Sequence, residues 1–178
     1  MSSRHIFTIF QGIGIVTDVT ITTLPATPLH ALDIWSNAPS VAKRFETATA
    51  ISLPLLGRSE GTDALRLIRY EPTVWLVEGD TENLTQLLGE DGALTAIGGG
   101  IVRVRLSGPA WRTLLMEGGM FDAESSVFAR YCSAGTIIDH VPVRLHVVRD
   151  DACDVYVPAS FSAALLHFWE QARATLVP

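Results

Sequence analysis

The side chains able to move protons, bind metals or act as nucleophiles are few in this chain, and they are scattered. The histidines are His5, His30, His140, His146 and His167. None is spaced with another histidine or a carboxylate as a metal-ligand set requires. His140 follows Asp139, and an Asp–His pair can orient a general base. Neighbours on a tight turn point apart, however, and this pair reads as a solvated turn. His146, beside Arg144, reads as facing out of its strand, and His167 as a packed helix residue. Asp122 with Glu124, and Asp150, Asp151 with Asp154, are carboxylate groups of the kind used in acid–base work. They lack calcium-loop spacing and read as solvated loop charges. Cys132 and Cys153 form neither a C-x-x-C pair nor a Cys/His zinc pattern. Cys153 reads as a small buried hydrophobe. Cys132 reads as able to reach the surface, with nothing local to lower its pKa. No G-x-S-x-G, H-E-x-x-H or Walker sequence occurs. A glycine loop that cradles phosphate lies between a strand and a helix N-terminus. Gly98-Gly99-Gly100 instead run into a strand, which predicts a bend or bulge.

Composition narrows the class. Of 178 residues 48% are hydrophobic and 18% charged, against about 25% charged in average soluble domains. Either the core is large for the chain, or part of the surface faces another subunit, since obligate interfaces resemble a core cut in half. The cations are twelve arginines and one lysine, Lys43. Arginine suits interface ion pairs and phosphate contacts, and a GC-rich genome produces the same bias. The net charge of −6 and the absence of a basic run argue against a nucleic-acid surface. No apolar run reaches the roughly 18 residues a membrane helix needs. No signal peptide is read, and the chain is expected in the cytoplasm.

These residues must be positioned by three blocks. Residues 1–28 form an apolar, β-branched arm, with Ile6, Ile9, Ile13, Ile15, Val16, Val19 and Ile21 interrupted by Gly12 and Gly14. Such an arm reads as extended and must be covered by its own domain or by a partner. Phe7 and Phe10 are the candidate partner-contact residues. Residues 29–100 read as a β-α-β-β-α lobe. It has a strand over 29–35, a helix entered at Pro39, a connector over 51–56 and a loop over 57–61. A hairpin over 64–70 and 73–78 and a helix capped by Asp80 or Thr81 and running to Leu88 complete it.

Residues 101–178 read as β-α-β-β-β-α. In the first strand Val102, Val104 and Leu106 alternate with Arg103 and Arg105, so the arginine side is wet or partner-facing. A helix opens at Pro109 and ends at Gly118-Gly119, one of which suits the left-handed position after a helix. An irregular stretch follows, anchored by Phe121, Val127 and Phe128. A hairpin then turns at Asp139-His140, and a strand over 153–157 puts Cys153, Val155 and Val157 on one face. The last helix, with Ser160 as cap, carries the stripe Phe161, Leu165, Phe168, Trp169, Ala172, Leu176. The predicted fold class is α+β: two small strand-helix lobes with antiparallel sheets and helices on one face, packed as one compact unit.

The second half resembles the gamma subunit of heterotetrameric sarcosine oxidase, a relative of the folate-binding aminomethyltransferase fold. The residues that carry this are Val102-Arg103-Val104-Arg105-Leu106-Ser107-Gly108-Pro109-Ala110, then Leu114-Leu115, Gly118, Asp122, Phe128 and Thr136. Val141-Pro142-Val143 and Val155-Tyr156-Val157-Pro158-Ala159-Ser160-Phe161 follow, with Leu165 and Trp169. Pro72 and Trp75-Leu76 stand where the family carries a Gly-Pro-x-x-Trp-Leu turn. The resemblance runs from about Ala64 to Ala172. Glu71 replaces the family's glycine, Val74 its acidic residue, and Ala129-Arg130-Tyr131 lacks its proline and glycine.

The resemblance implies a cytoplasmic complex with alpha, beta and delta type subunits that carry FAD, FMN, NAD, zinc and tetrahydrofolate. Such a complex oxidatively demethylates an N-methyl amine, with tetrahydrofolate accepting the one-carbon unit and oxygen reduced to hydrogen peroxide. A gamma-type subunit is not the seat of that chemistry, so no catalytic, cofactor-binding or metal residue is expected here. Two alternatives stand beside it. One is a free-standing folate-fold module that binds a pterin or a small acid. The other is a small enzyme using Cys132 or His140.

Overall fold

Two five-stranded antiparallel sheets, each backed by helices on its outer side, make up the chain. The structure is a computed structural model and describes residues 18–176. The elements in chain order are β1 (Thr20–Thr23), β2 (Leu29–Ile34), α1 (Ala38–Thr49), β3 (Arg58–Gly61), β4 (Leu65–Arg69), β5 (Val74–Gly79), α2 (Leu84–Leu88) and β6 (Gly92–Ala96). After a 3-10 turn at Gly98–Gly100 come β7 (Ile101–Ser107), α3 (Trp111–Met116), β8 (Ser133–Ile138), β9 (Val141–Arg149), β10 (Ala152–Pro158) and α4 (Ser162–Leu176). One sheet runs β3-β4-β5-β2-β6 and the other β1-β7-β10-β9-β8.

Period-two patterning decides which way each strand faces. Leu32, Ile34, Leu67, Trp75 and Val77 turn outward to Val41 and Phe45 of α1 and to Leu84 and Leu88 of α2. Val104, Leu106, Leu145, Val147, Val155 and Val157 turn outward to Trp111 and Leu114 of α3 and to Leu165 and Trp169 of α4. The residues between them face the other sheet, where Leu29, Ile68 and Leu76 meet Tyr156. The order of layers is therefore helix, sheet, sheet, helix.

Turn chemistry fixes the hairpins. Asp139 and His140, with φ of 45° and 65°, make the two-residue turn between β8 and β9, the geometry that matches strand twist. Gly79, at φ 99°, lies so close to Ala64 that an added Cβ would fall 2.0 Å from its carbonyl oxygen, so the β5 exit admits only glycine. Gly118, at φ 66°, occupies the left-handed position just after α3.

Several expectations change. The loop read over 57–61 contains an edge strand, β3, and the strand β6 lies between the expected helix end and the glycine bend, where no element is expected. The helix expected from Thr81 begins at Leu84, and that from Pro109 at Trp111. Ser160 does not cap α4; it sits in a 3-10 turn, Ala159–Phe161, and Phe161 is 48% exposed. The sequence arm over 1–28 includes β1, which pairs with β7 through Thr20↔Ser107 to Thr23↔Val104. Phe7 and Phe10 lie outside the described residues. Among the described residues no helix is long and apolar enough to cross a membrane.

Candidate functional site: the seam between the sheets

Where the two sheets face each other, polar residues form two cross-strand rows on the inner face of the second sheet. The first row is Arg105, Asp154, His146 and Ser133; the second is Arg103, Tyr156, Arg144 and Gly135. Both follow from alternation, because every residue but Gly135 is one step from an outward-facing valine, leucine or cysteine.

Each row is bonded. Asp154 accepts from Arg105 Nε at 2.6 Å and Nη2 at 2.8 Å, a side-on fork. Glu78 of the first sheet accepts on Oε1 from Arg103 Nη1 at 2.6 Å and from the Tyr156 hydroxyl at 2.9 Å. Burial, and the nearby Glu78 and Asp154 carboxylates, push the Tyr156 phenol well above its ordinary value, so it stays a proton donor. Ser133 Oγ crosses the seam to the Arg69 carbonyl at 2.8 Å. Arg144 stacks over Tyr70 with 4.4 Å to the ring centroid.

His146 and Ser59 are the nucleophile-and-base pair that sequence did not show. Ser59 Oγ and His146 Nε2 are 2.8 Å apart, both residues buried. The Ser59 hydroxyl also faces the Tyr131 carbonyl at 3.3 Å. Its single hydrogen goes there when the imidazole carries its own on Nε2 and donates to Oγ. In that tautomer His146 takes no proton from Ser59. Burial first, then Arg66 and Arg105, lower the His146 pKa to about 3, so the ring is a poor base. Asp154 orients Arg105 rather than the imidazole. The pair is a structural bond across the seam, and it corrects the expectation that His146 faces solvent.

Cys132, expected to reach the surface, is buried; it accepts from Arg58 Nη1 at 3.0 Å and faces the Val127 carbonyl at 3.0 Å. Cys153 is buried as expected, and burial raises its thiol pKa. His140 stands exposed on its turn, far along β9 from His146.

Stability is expected to depend on pH through His146. The folded pKa of about 3 lies below the ordinary histidine value of about 6.5, so between the two the unfolded chain holds a proton that the folded chain does not. Stability is full above the upper value and falls by about 1.4 kcal/mol per pH unit below it. Equilibrium urea unfolding at pH 7 and pH 5 is expected to differ by about 2 kcal/mol from this group, and His146→Gln should remove that difference. Asp91 and Asp151 also lose stabilising charge with acid, but in the lower carboxylate range, because arginine hydrogen bonds depress their pKa values.

A cleft of about 780 Å³ opens at one side of the seam, walled by Arg66, Arg103, Arg105, Arg130, Arg149 and Glu78 among others. A second of about 560 Å³ adjoins it and shares Gly61, Arg66, Arg130 and Tyr131. A pterin presents a ring N–H and an amino group that one carboxylate receives together. Glu78 takes both of its bonds, from Arg103 and Tyr156, on Oε1, which leaves Oε2 open, while Asp154 is engaged by Arg105 on both oxygens. Among the described residues no three His, Cys, Asp or Glu side chains converge to hold a metal ion.

No family model matches the chain, and no curated protein matches it by sequence. Solved structures do. A chain of the heterotetrameric sarcosine oxidase from Corynebacterium sp. U-96, determined in complex with pyrrole 2-carboxylate, superposes with a TM-score of 0.78 at 19% identity. That match covers 90% of this chain and 86% of the other. The glycine cleavage system aminomethyltransferase T from Bartonella henselae superposes with a TM-score of 0.58 at 14% identity, over 85% of this chain and 45% of that one. This chain therefore has the aminomethyltransferase-like α+β fold expected from its sequence, and spans less than half the length of that aminomethyltransferase.

Proposed function

We propose that this chain is a non-catalytic, gamma-type subunit of a multi-subunit flavin-dependent complex of the sarcosine oxidase kind. The complex oxidatively demethylates an N-methyl amine with tetrahydrofolate as one-carbon acceptor. Its alpha, beta and delta type subunits hold FAD, FMN, NAD, zinc and tetrahydrofolate. The observation that carries the reading is the pair of coverages: 90% of this chain against 86% of a chain from a heterotetrameric oxidase, but only 45% of the glycine cleavage system aminomethyltransferase. A shared length and fold favour a shared role as one piece of an assembly.

The seam fits that role. Its paired charges and its buried histidine hold two sheets in register. Exposed apolar side chains on the outside, Trp35, Leu55, Val127 and Ile137 among them, give partners something to cover.

The test is affinity purification of the tagged full chain from its native cell, followed by an absorbance spectrum of the eluate. Larger subunits and flavin bands are expected, with hydrogen peroxide produced on addition of an N-methyl amine. A colourless single chain of one size would overturn the reading.

A further inference from the structure

The arginine-walled cleft carries more positive charge than its own carboxylates balance. Five of the twelve arginines line it, against Asp63, Glu78 and Asp154, an excess of two positive charges in a chain whose net charge is −6. Arg103 and Arg105 are committed to Glu78 and Asp154. Arg149 pairs with Asp151, but both side chains are more than half exposed, and such a pair contributes little.

Arg66 and Arg130 are different. The Arg66 side chain is only 19% exposed, yet the one carboxylate bonded to it, Asp63, stands fully in solvent at 3.4 Å, while Glu78, opposite it in the β4–β5 register, is bonded to Arg103 and Tyr156 instead. A guanidinium withdrawn that far from water is normally matched by a carboxylate withdrawn with it. Arg130 pairs with no carboxylate among the described residues and lies over the Tyr131 ring, 4.6 Å from its centroid. Backbone geometry brings the two together. Ser59 N–H donates to the Tyr131 carbonyl at 2.9 Å, which lays the loop carrying Arg130 along β3. Gly61 stands opposite Arg66 in the β3–β4 register, so no side chain on the edge strand blocks that arginine. Both arginines belong to the wall common to the two adjoining clefts. Beside them the Arg103 Nε–H is buried without a partner among the described residues.

A fixed guanidinium fork receives two oxygens of a carboxylate or phosphate side by side. The cleft volume suits a small molecule, and Thr27, Thr62 and Gly61 give it polar or bare walls rather than an apolar slot. We propose that this cleft binds a small organic dianion, a dicarboxylate or a phosphate monoester, held by Arg66 and Arg130. The site is independent of the flavin complex proposed above, and a failure of either leaves the other standing.

The experiment titrates the full chain with succinate in one arm and inorganic phosphate in the other, each against sodium chloride at matched ionic strength, reading Tm and heat of binding. Saturable binding in at least one arm, absent with chloride, is expected, and the arm that saturates identifies the source of the anion. Arg130→Gln, an exposed change that leaves the seam intact, should weaken it about tenfold or more, as should Arg66→Gln. Arg173→Gln, on the last turn of α4, should bind as the unaltered chain does. No saturation beyond the chloride control in either arm would overturn the proposal. So would an Arg130→Gln chain that binds with unaltered affinity.

Discussion

Replacing Glu78 by alanine is expected to cost about 3–5 kcal/mol, the penalty for leaving a buried charge without its partner. Arg103 and Glu78 side chains are 14% and 17% exposed, and their bond is 2.6 Å. The same carboxylate oxygen receives the phenol of Tyr156, a residue 1% exposed. Removing Glu78 therefore strands one cation at the cleft wall and one buried hydroxyl at once. The double variant Glu78→Leu/Arg103→Met should recover much of the loss, because exchanging a whole buried pair for apolar groups of similar volume is often neutral. Equilibrium urea unfolding of the single and double variants checks this. A Glu78→Ala chain as stable as its parent would show that the two sheets are not held by the pair.

Trp169→Ala is expected to cost about 3–5 kcal/mol, the range for emptying a large aromatic site in a core. The Trp169 side chain is fully buried on α4, in the same cluster as Leu114 of α3 and Val104 and Val155 of the sheet. Its Nε1 has no hydrogen-bond partner among the described residues, so Trp169→Phe gives up no bond and should cost distinctly less than alanine. Most domains have about 5–15 kcal/mol in total, so the alanine chain should lose a large share of its stability. Urea midpoints for the two variants, with near-ultraviolet circular dichroism to report core packing, measure the difference. Equal costs for alanine and phenylalanine would place the energy elsewhere than in filled volume.

What was legible in the sequence was whatever depended on near neighbours. The β4–β5 and β8–β9 hairpins announce themselves through alternation and turn residues, and α4 through its stripe. The strands β3, reading RSEG, and β6, reading GALTA, were missed because nothing local marks them. They are short edge strands, defined by partners that lie elsewhere in the chain. The site was read by halves. Alternation correctly put Arg103 and Arg105 on the side opposite the valines, but period two cannot tell water from a second sheet. The same blindness turned His146 outward on paper, when Ser59, 87 residues away, meets it inside. Arg66 and Arg130 carry no local signal at all; only the fold makes them neighbours. The resemblance, resting on turns and core positions of the second half, pointed to the right fold because those are the positions that shape it.

The strand order β1-β7-β10-β9-β8 has a bearing on how the molecule is made. Residues 20–23 are made before every other described strand, yet they sit at the edge of a sheet whose other strands come last. The first sheet, drawn wholly from residues 29–96, can close on the nascent chain while β1 waits beside it. Its inner face, with Leu29, Ile68, Leu76 and Glu78, then stays uncovered until Tyr156 and Arg103 arrive. The early half is therefore expected to lean on a chaperone or on partner surface during synthesis, and cutting the gene between the two sheets would leave β1 on the wrong fragment.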